Sequence, residues 1–202
     1  MTAIVFLLSP ASCAGKRARI LLKGGASPLA TRLRGDGASL GDVFAFMSSL
    51  YFRGKLAYAK AFSAPPAGWS GALVIAPGRG LVRADALIGI HDLQHMAQIP
   101  VDHENPGFRE PLMRDARALE RALGIAGRAV LLGSVATDKY VAPLLEVFGD
   151  RLLFPETFVG RGDMSRGGLL LRSAGAGTEL EYVAVRGAAR HGARPPKLER
   201  LR

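Results

Sequence analysis

The segment 160–168, GRGDMSRGG, sets Arg161 and Arg166 around Asp163 among four glycines. A guanidinium forks onto a phosphate or carboxylate, and glycine lets a backbone approach a ligand closely. That residue set suits an anion grip in which Arg161 or Arg166 holds a phosphate and Asp163 orients one of them; an arginine–aspartate pair that merely closes a loop uses the same residues. Three other stretches carry comparable groups. SPASCAGKR supplies Ser9, Ser12, Cys13, Lys16 and Arg17 for an anion-holding turn, although any strand-to-helix loop is polar and its glycine spacing is not that of a Walker loop. PGRGLVRAD sets Arg79 between two glycines and adds Asp85. SVATDKY offers Lys139 beside Asp138 and Tyr140 in an expected first helical turn, where the dipole disfavours a cation unless an anionic ligand or solvent compensates it. Asp85, Asp92 and Asp163 are the candidate acid/base groups and Cys13 the candidate nucleophile. A Cys13–His91–Asp92 arrangement can be written down, but only geometry could support it. His91 and His95 in HDLQH are four apart, as a helical metal pair would be, yet only His103 or Asp102 stands near as a third ligand. No metal site and no cofactor is expected.

These residues need elements to position them, and short apolar runs alternate with helical patterns. AIVFLL (3–8), ALVIA (72–76), AVLLGS (129–134), RLLFP (151–155), GLLLR (168–172) and LEYVAV (180–185) read as strands. Their continuous apolarity suits strands covered on both faces, as in a parallel sheet. Between the first two, Ser39 and Asp42 form a capping box ahead of Val43, Phe44, Met47, Leu50, Tyr51, Tyr58 and Phe62 at helical spacing, with Gly54 as the expected break. A second helix is expected from Pro111 to Gly124 and a third from Thr137 towards Phe148. The pattern predicts a three-layer α/β domain over 1–185 with a mostly parallel central sheet flanked by helices. In such sheets ligands bind beyond the carboxyl ends of the strands, and the first three apolar runs each lead there into small, polar or charged residues. GRGDMSRGG instead precedes its expected strand.

The 202-residue chain suits one domain. Half of its net charge of +10 sits in the tail 186–202, where Arg186, Arg190, Arg194, Lys197, Arg200 and Arg202 face only Glu199; this segment reads as a flexible basic extension. A basic balance favours polyanions, and it also serves solubility. Cys13 is the single cysteine, so no intrachain disulfide forms, and a cytoplasmic location is expected. The opening MTAIVFLLSP reads as a buried strand rather than a secretion signal, and no stretch approaches membrane-spanning length. The RGD triplet has no extracellular context.

Taken in order, four segments resemble the YaaA-like group, named for a bacterial peroxide-stress protein, and its uncharacterised relatives. LLSPAS is similar to the family's first strand and turn, and APGRGLVRADALIGIHDL to its middle segment. LLGSVATDKY matches a strand ending in small residues before a Lys-Tyr pair, and RGDMSRGGLLL its basic Arg-Gly-x-Met-Ser-Arg element. The matches span residues 5–171. The chain is shorter than the stress protein and shows no helix-hairpin-helix element of the kind that protein uses on DNA. The middle segment also resembles the catalytic domain of archaeosine synthase, which modifies a tRNA base. These resemblances imply a partner that is nucleic acid or a nucleotide, in a stress-related or base-modifying role. Three readings stand together. One is phosphate binding by Ser12, Lys16, Arg17, Arg79, Lys139, Arg161 and Arg166. Another is an enzyme acting on a nucleobase or nucleotide at the same edge. The last is an interaction protein that binds through its basic tail.

Overall fold

A computed structural model describes residues 2–24, 27–196 and 198. The chain runs β1 (Ile4–Leu8), α1 (Lys16–Lys23), α2 (Pro28–Arg34), β2 (Ala38–Ser39), α3 (Leu40–Ser48), α4 (Leu50–Phe62), β3 (Ala72–Ala76) and β4 (Gly80–Arg83). It continues through β5 (Leu87–Ile88), α5 (Ile90–Gln98), α6 (Pro106–Leu123), β6 (Arg128–Leu132), α7 (Asp138–Phe148), β7 (Leu152–Pro155), α8 (Asp163–Ala176) and β8 (Tyr182–Ala184). Six strands form one sheet in the order β4-β3-β1-β6-β7-β8. The inner four are parallel, with Leu8 opposite Val74 on one side and Leu132 on the other. β4 and β8 close the two edges antiparallel. The expected three-layer α/β architecture is therefore the observed one: α4 packs against β1, β3 and α8 on one face, while α6 and α7 pack together against β4 and β7 on the other.

The apolar runs become strands because both of their faces are covered. Val5, Phe6, Leu7 and Leu8 are fully buried, as are Val130, Leu131 and Leu132. Each such side chain contributes roughly 1.5–3 kcal/mol relative to staying in water. Phe6 meets Tyr58 edge-on at 5.5 Å, and the Tyr58 hydroxyl reaches that of Tyr182 at 2.7 Å, tying α4 to the last strand.

Four sequence expectations change. GLLLR is not a strand but the middle of α8, whose inward stripe is Arg166, Gly167, Leu170 and Ser173. The segment 160–168 consequently follows β7 and reaches the carboxyl edge as its outgoing loop and first helical turns. The helical stretch 39–62 breaks at Ser49, not at Gly54. Ser49 alone among described non-glycine residues has positive φ, at 50°. Gly54 lies inside α4 because α8 crosses there: a Cβ on Gly54 would sit 2.7 Å from the Gly167 carbonyl oxygen, and one on Gly167 2.7 Å from the Tyr51 Cα. The helix placed after Pro111 begins earlier, at Pro106, where the Asn105 side chain accepts from the Gly107 N–H at 3.0 Å and Pro111 is carried within the helix. GLVR, part of the segment PGRGLVRAD that follows the apolar run 72–76, is no loop but strand β4.

Of the tail, Lys197, Glu199, Arg200 and Arg202 lie outside the described residues. The described part carries no helix beyond β8, but Arg190 bonds the Val135 carbonyl and pairs with Asp138 at 2.8 Å.

Candidate functional site

The carboxyl ends of β1 and β6 are adjacent, and the chain leaves β1 towards β3 on one side and later returns to β6 on the other. This is the topological switch point at which open α/β sheets hold their ligands. Ser9 stands at that place, directly after β1, its N–H bonded to the Leu132 carbonyl at 3.2 Å. Gly133 leaves room for it, since a Cβ there would come 2.8 Å from the Ser9 Cβ.

Lys55 reaches Ser9 from α4. Its Nζ lies 2.7 Å from the Ser9 Oγ and donates to the Ser9 carbonyl at 2.9 Å. The ammonium position is over the Tyr51 ring, 4.0 Å from its centroid, with Phe52 at 5.3 Å. Lys55 is 1% exposed, and no carboxylate pairs with it among the described residues. Burial therefore pulls its pKa down to about 7; the charge of Asp163 opposes this and that of Arg166 adds to it.

Two tyrosines complete the cluster. The Tyr51 hydroxyl is buried and has no hydrogen-bond partner among the described residues. Burial pushes its pKa up, with the Arg166 guanidinium acting in the opposite sense. Tyr140, in the first turn of α7, is pushed up by burial as well, and interaction with Ser9 partly offsets that.

The structure gathers most of the predicted residues on this edge. Ser12, Lys16 and Arg17 follow β1, and all three are exposed. Lys16 and Arg17 occupy the first turn of α1, while Lys139 is exposed in the first turn of α7. Arg79 sits in the β3–β4 turn but is committed to an ion pair with Asp92, which also accepts the Gly89 N–H at 2.8 Å and so caps α5. Arg161 bonds the Thr157 carbonyl at 2.9 Å and the Ser165 hydroxyl at 3.2 Å. Arg166 is buried: its Nε and Nη2 hold the Phe158 carbonyl at 3.2 and 3.1 Å, and Asp163 lies 3.7 Å away. This pair shapes the β7–α8 connection from inside, and Asp163 itself is exposed.

Two candidates fall outside the cluster. Asp85 is exposed and paired with Arg83 at 2.7 Å. Because β4 runs back along β3, with Arg83 opposite Leu73, Asp85 stands at the amino edge of the sheet, away from Ser9. Cys13 is on the correct edge, but its thiol is buried and burial raises its pKa to about 12. That favours the inert thiol over the nucleophilic thiolate. His91 bonds Gln94, His95 lies against Gly78, and no group of three or more His, Cys, Asp or Glu side chains among the described residues could hold a metal.

Sequence reasoning places Ser9 in the anion-holding turn but misses Tyr51 and Lys55 as site residues. The available signal was a lysine within an otherwise apolar helical stripe, Tyr51-Lys55-Tyr58-Phe62. No family model, curated protein or solved structure matches this chain.

Proposed function

We propose that this chain binds nucleic acid or a nucleotide by its phosphates at the carboxyl edge of the sheet. One observation carries the reading: the exposed cations Lys16, Arg17 and Lys139 stand at the N-termini of α1 and α7, the two helices that follow the adjacent strands β1 and β6. A helix start presents free N–H groups and the positive end of its dipole, which disfavours a cation and favours an anion. Lysines and an arginine at two neighbouring starts fit a phosphate that bridges them. Ser12, exposed in the loop that leads into α1, adds a hydroxyl donor. The YaaA-like resemblance agrees with a nucleic-acid or nucleotide partner.

The test is fluorescence anisotropy with a labelled single-stranded oligonucleotide across a salt series, with nucleoside monophosphates as competitors. Replacing Lys16 and Lys139 by Ala is expected to lower affinity and flatten the log–log salt slope by about 0.7 per lysine removed. Unchanged affinity and slope in a variant that melts normally contradicts the reading.

A second reading, an enzyme acting on the bound nucleotide, is favoured by Lys55. A fully buried amine without a counter-ion is expensive to keep, and lysines of depressed pKa serve as bases or nucleophiles.

A further inference from the structure

We propose that Ser9 and Lys55 form a serine–lysine dyad that transfers an acyl group from a phosphate-bearing carrier to water. The dyad is drawn from geometry. Ser9 Oγ and Lys55 Nζ are 2.7 Å apart, within the reach a nucleophile and its base require. Ser9 sits at the end of the central strand, at the switch point, with its N–H fixed on Leu132 and its side chain fitted against Gly133. Lys55 is fixed by the Ser9 carbonyl and by the rings of Tyr51 and Phe52. A methionine would fill the same apolar space without burying an amine, so packing alone does not account for a lysine.

The groups that face the amine are Ser9, Tyr51 on the same helix, and Asp163 and Arg166 on α8; Tyr140 on α7 faces Ser9. None of them is an ion-pair partner of Lys55, so its neutral form is accessible near neutral pH. With Lys55 neutral, the Ser9 hydroxyl donates to Nζ. As the oxygen attacks an acyl carbon, its proton passes to Lys55 and the carbonyl electrons move onto oxygen. Tyr51, whose ring lies under the amine and whose buried hydroxyl has no hydrogen-bond partner among the described residues, is assigned as the donor to that oxyanion. Collapse breaks the bond to the carrier, which leaves with the proton held by the Lys55 ammonium. Water then adds to the acyl–Ser9 ester, giving its proton to Lys55, and the acid departs as Ser9 regains a proton. Ester or thioester plus water gives acid plus carrier, with no oxidant or metal involved.

The nature of the carrier rests on the phosphate-binding reading, because Lys16, Arg17 and Lys139 share this edge; the dyad does not depend on it. The experiment therefore uses an uncharged probe. The full chain is treated with an alkyl fluorophosphonate, and the adduct is located by peptide mass spectrometry. A single adduct on Ser9 is expected, with a rate that rises through a midpoint near pH 7. Lys55→Met is expected to slow labelling by at least about 100-fold, the usual contribution of a positioned base. Lys55→Arg keeps a cation and hydrogen-bond donors but cannot accept the proton, so it is expected to be equally slow even though it preserves the tie to Ser9. Absence of a Ser9 adduct in the folded wild type overturns the dyad. So does a Ser9 adduct formed at the wild-type rate in Lys55→Arg. Labelling without oligonucleotide or nucleotide binding keeps the dyad and overturns the phosphate carrier; binding without labelling does the reverse.

Discussion

Lys55 makes the stability of this protein rise with pH where most proteins level off. The amine titrates at about 7 in the folded chain and at its ordinary 10.5 when unfolded. Between those values the unfolded state holds a proton that the folded state lacks, so raising the pH favours folding. A full proton of difference corresponds to about 1.4 kcal/mol per pH unit. Near pH 7 the folded amine is half protonated, so from pH 7 to 9 the gain is about 2 kcal/mol. Above pH 9 the sign is contested. Cys13 ionises at its ordinary 9.0 when unfolded but only at about 12 when folded, and this subtracts stability as the pH rises further. The clean window is therefore pH 7 to 9. Urea denaturation at pH 7, 8 and 9 on wild type and Lys55→Met isolates the lysine, because other titrating groups are common to both. For a domain of this size the gain corresponds to an increase in Tm of roughly 4–8 °C, present in wild type and absent from the variant. Parallel pH profiles in the two proteins would mean that the amine is solvated in the native state, and the reasoning about its burial would be refuted.

Other expectations follow from the same packing. Cys13 should resist alkylation at neutral pH while the chain is folded and react readily once denatured, because its thiolate is suppressed by burial; labelling at the rate of a free thiol in the native protein contradicts this. Gly54→Ala should destabilise the chain by about 1–3 kcal/mol in chemical denaturation, since the added methyl meets the Gly167 backbone and α4 and α8 must move apart. A change below about 0.5 kcal/mol would mean that the two helices give way without strain. Arg79→Ala should leave oligonucleotide affinity intact and cost less than about 1 kcal/mol, as its pair with Asp92 is partly exposed. A loss of affinity equal to that of the Lys16/Lys139 variant would place Arg79 in the ligand site after all.

The parallel core of the sheet was legible because each of its strands is a short continuous apolar run, as a strand covered on both faces must be. The ligand edge was legible too, from the polar residues that end those runs. α8 was not: its Leu169, Leu170 and Leu171 look like a buried strand, and Gly167 and Gly168 before them look like a turn. Only the crossing with α4 shows that Gly167 is small to let a backbone approach. The same crossing misled the placement of the helix break, since Gly54 answers to Gly167 whereas Ser49 takes the positive φ with nothing in its side chain to announce it. Lys55 was hidden for a related reason. A lysine is ordinarily a surface residue, and its burial depends on β1 and α4 meeting at Ser9, a contact between residues distant in sequence. The arginines of 160–168 were recognised as unusual, but the sequence could not say that Arg166 turns inward onto Phe158.

The central claim, that a phosphate-bearing ligand is received at the carboxyl ends of β1 and β6, is tested most directly by amide chemical-shift mapping during titration with a single-stranded oligonucleotide and, separately, a nucleoside monophosphate. Saturable shifts concentrated in Ser9–Arg17 and Gly133–Tyr140, around Ser12, Lys16, Arg17 and Lys139, are expected. Shifts confined to the side of α6 that carries Arg109, Arg114, Arg117 and Arg121, or to the described tail residues, with those two loops silent, would contradict it.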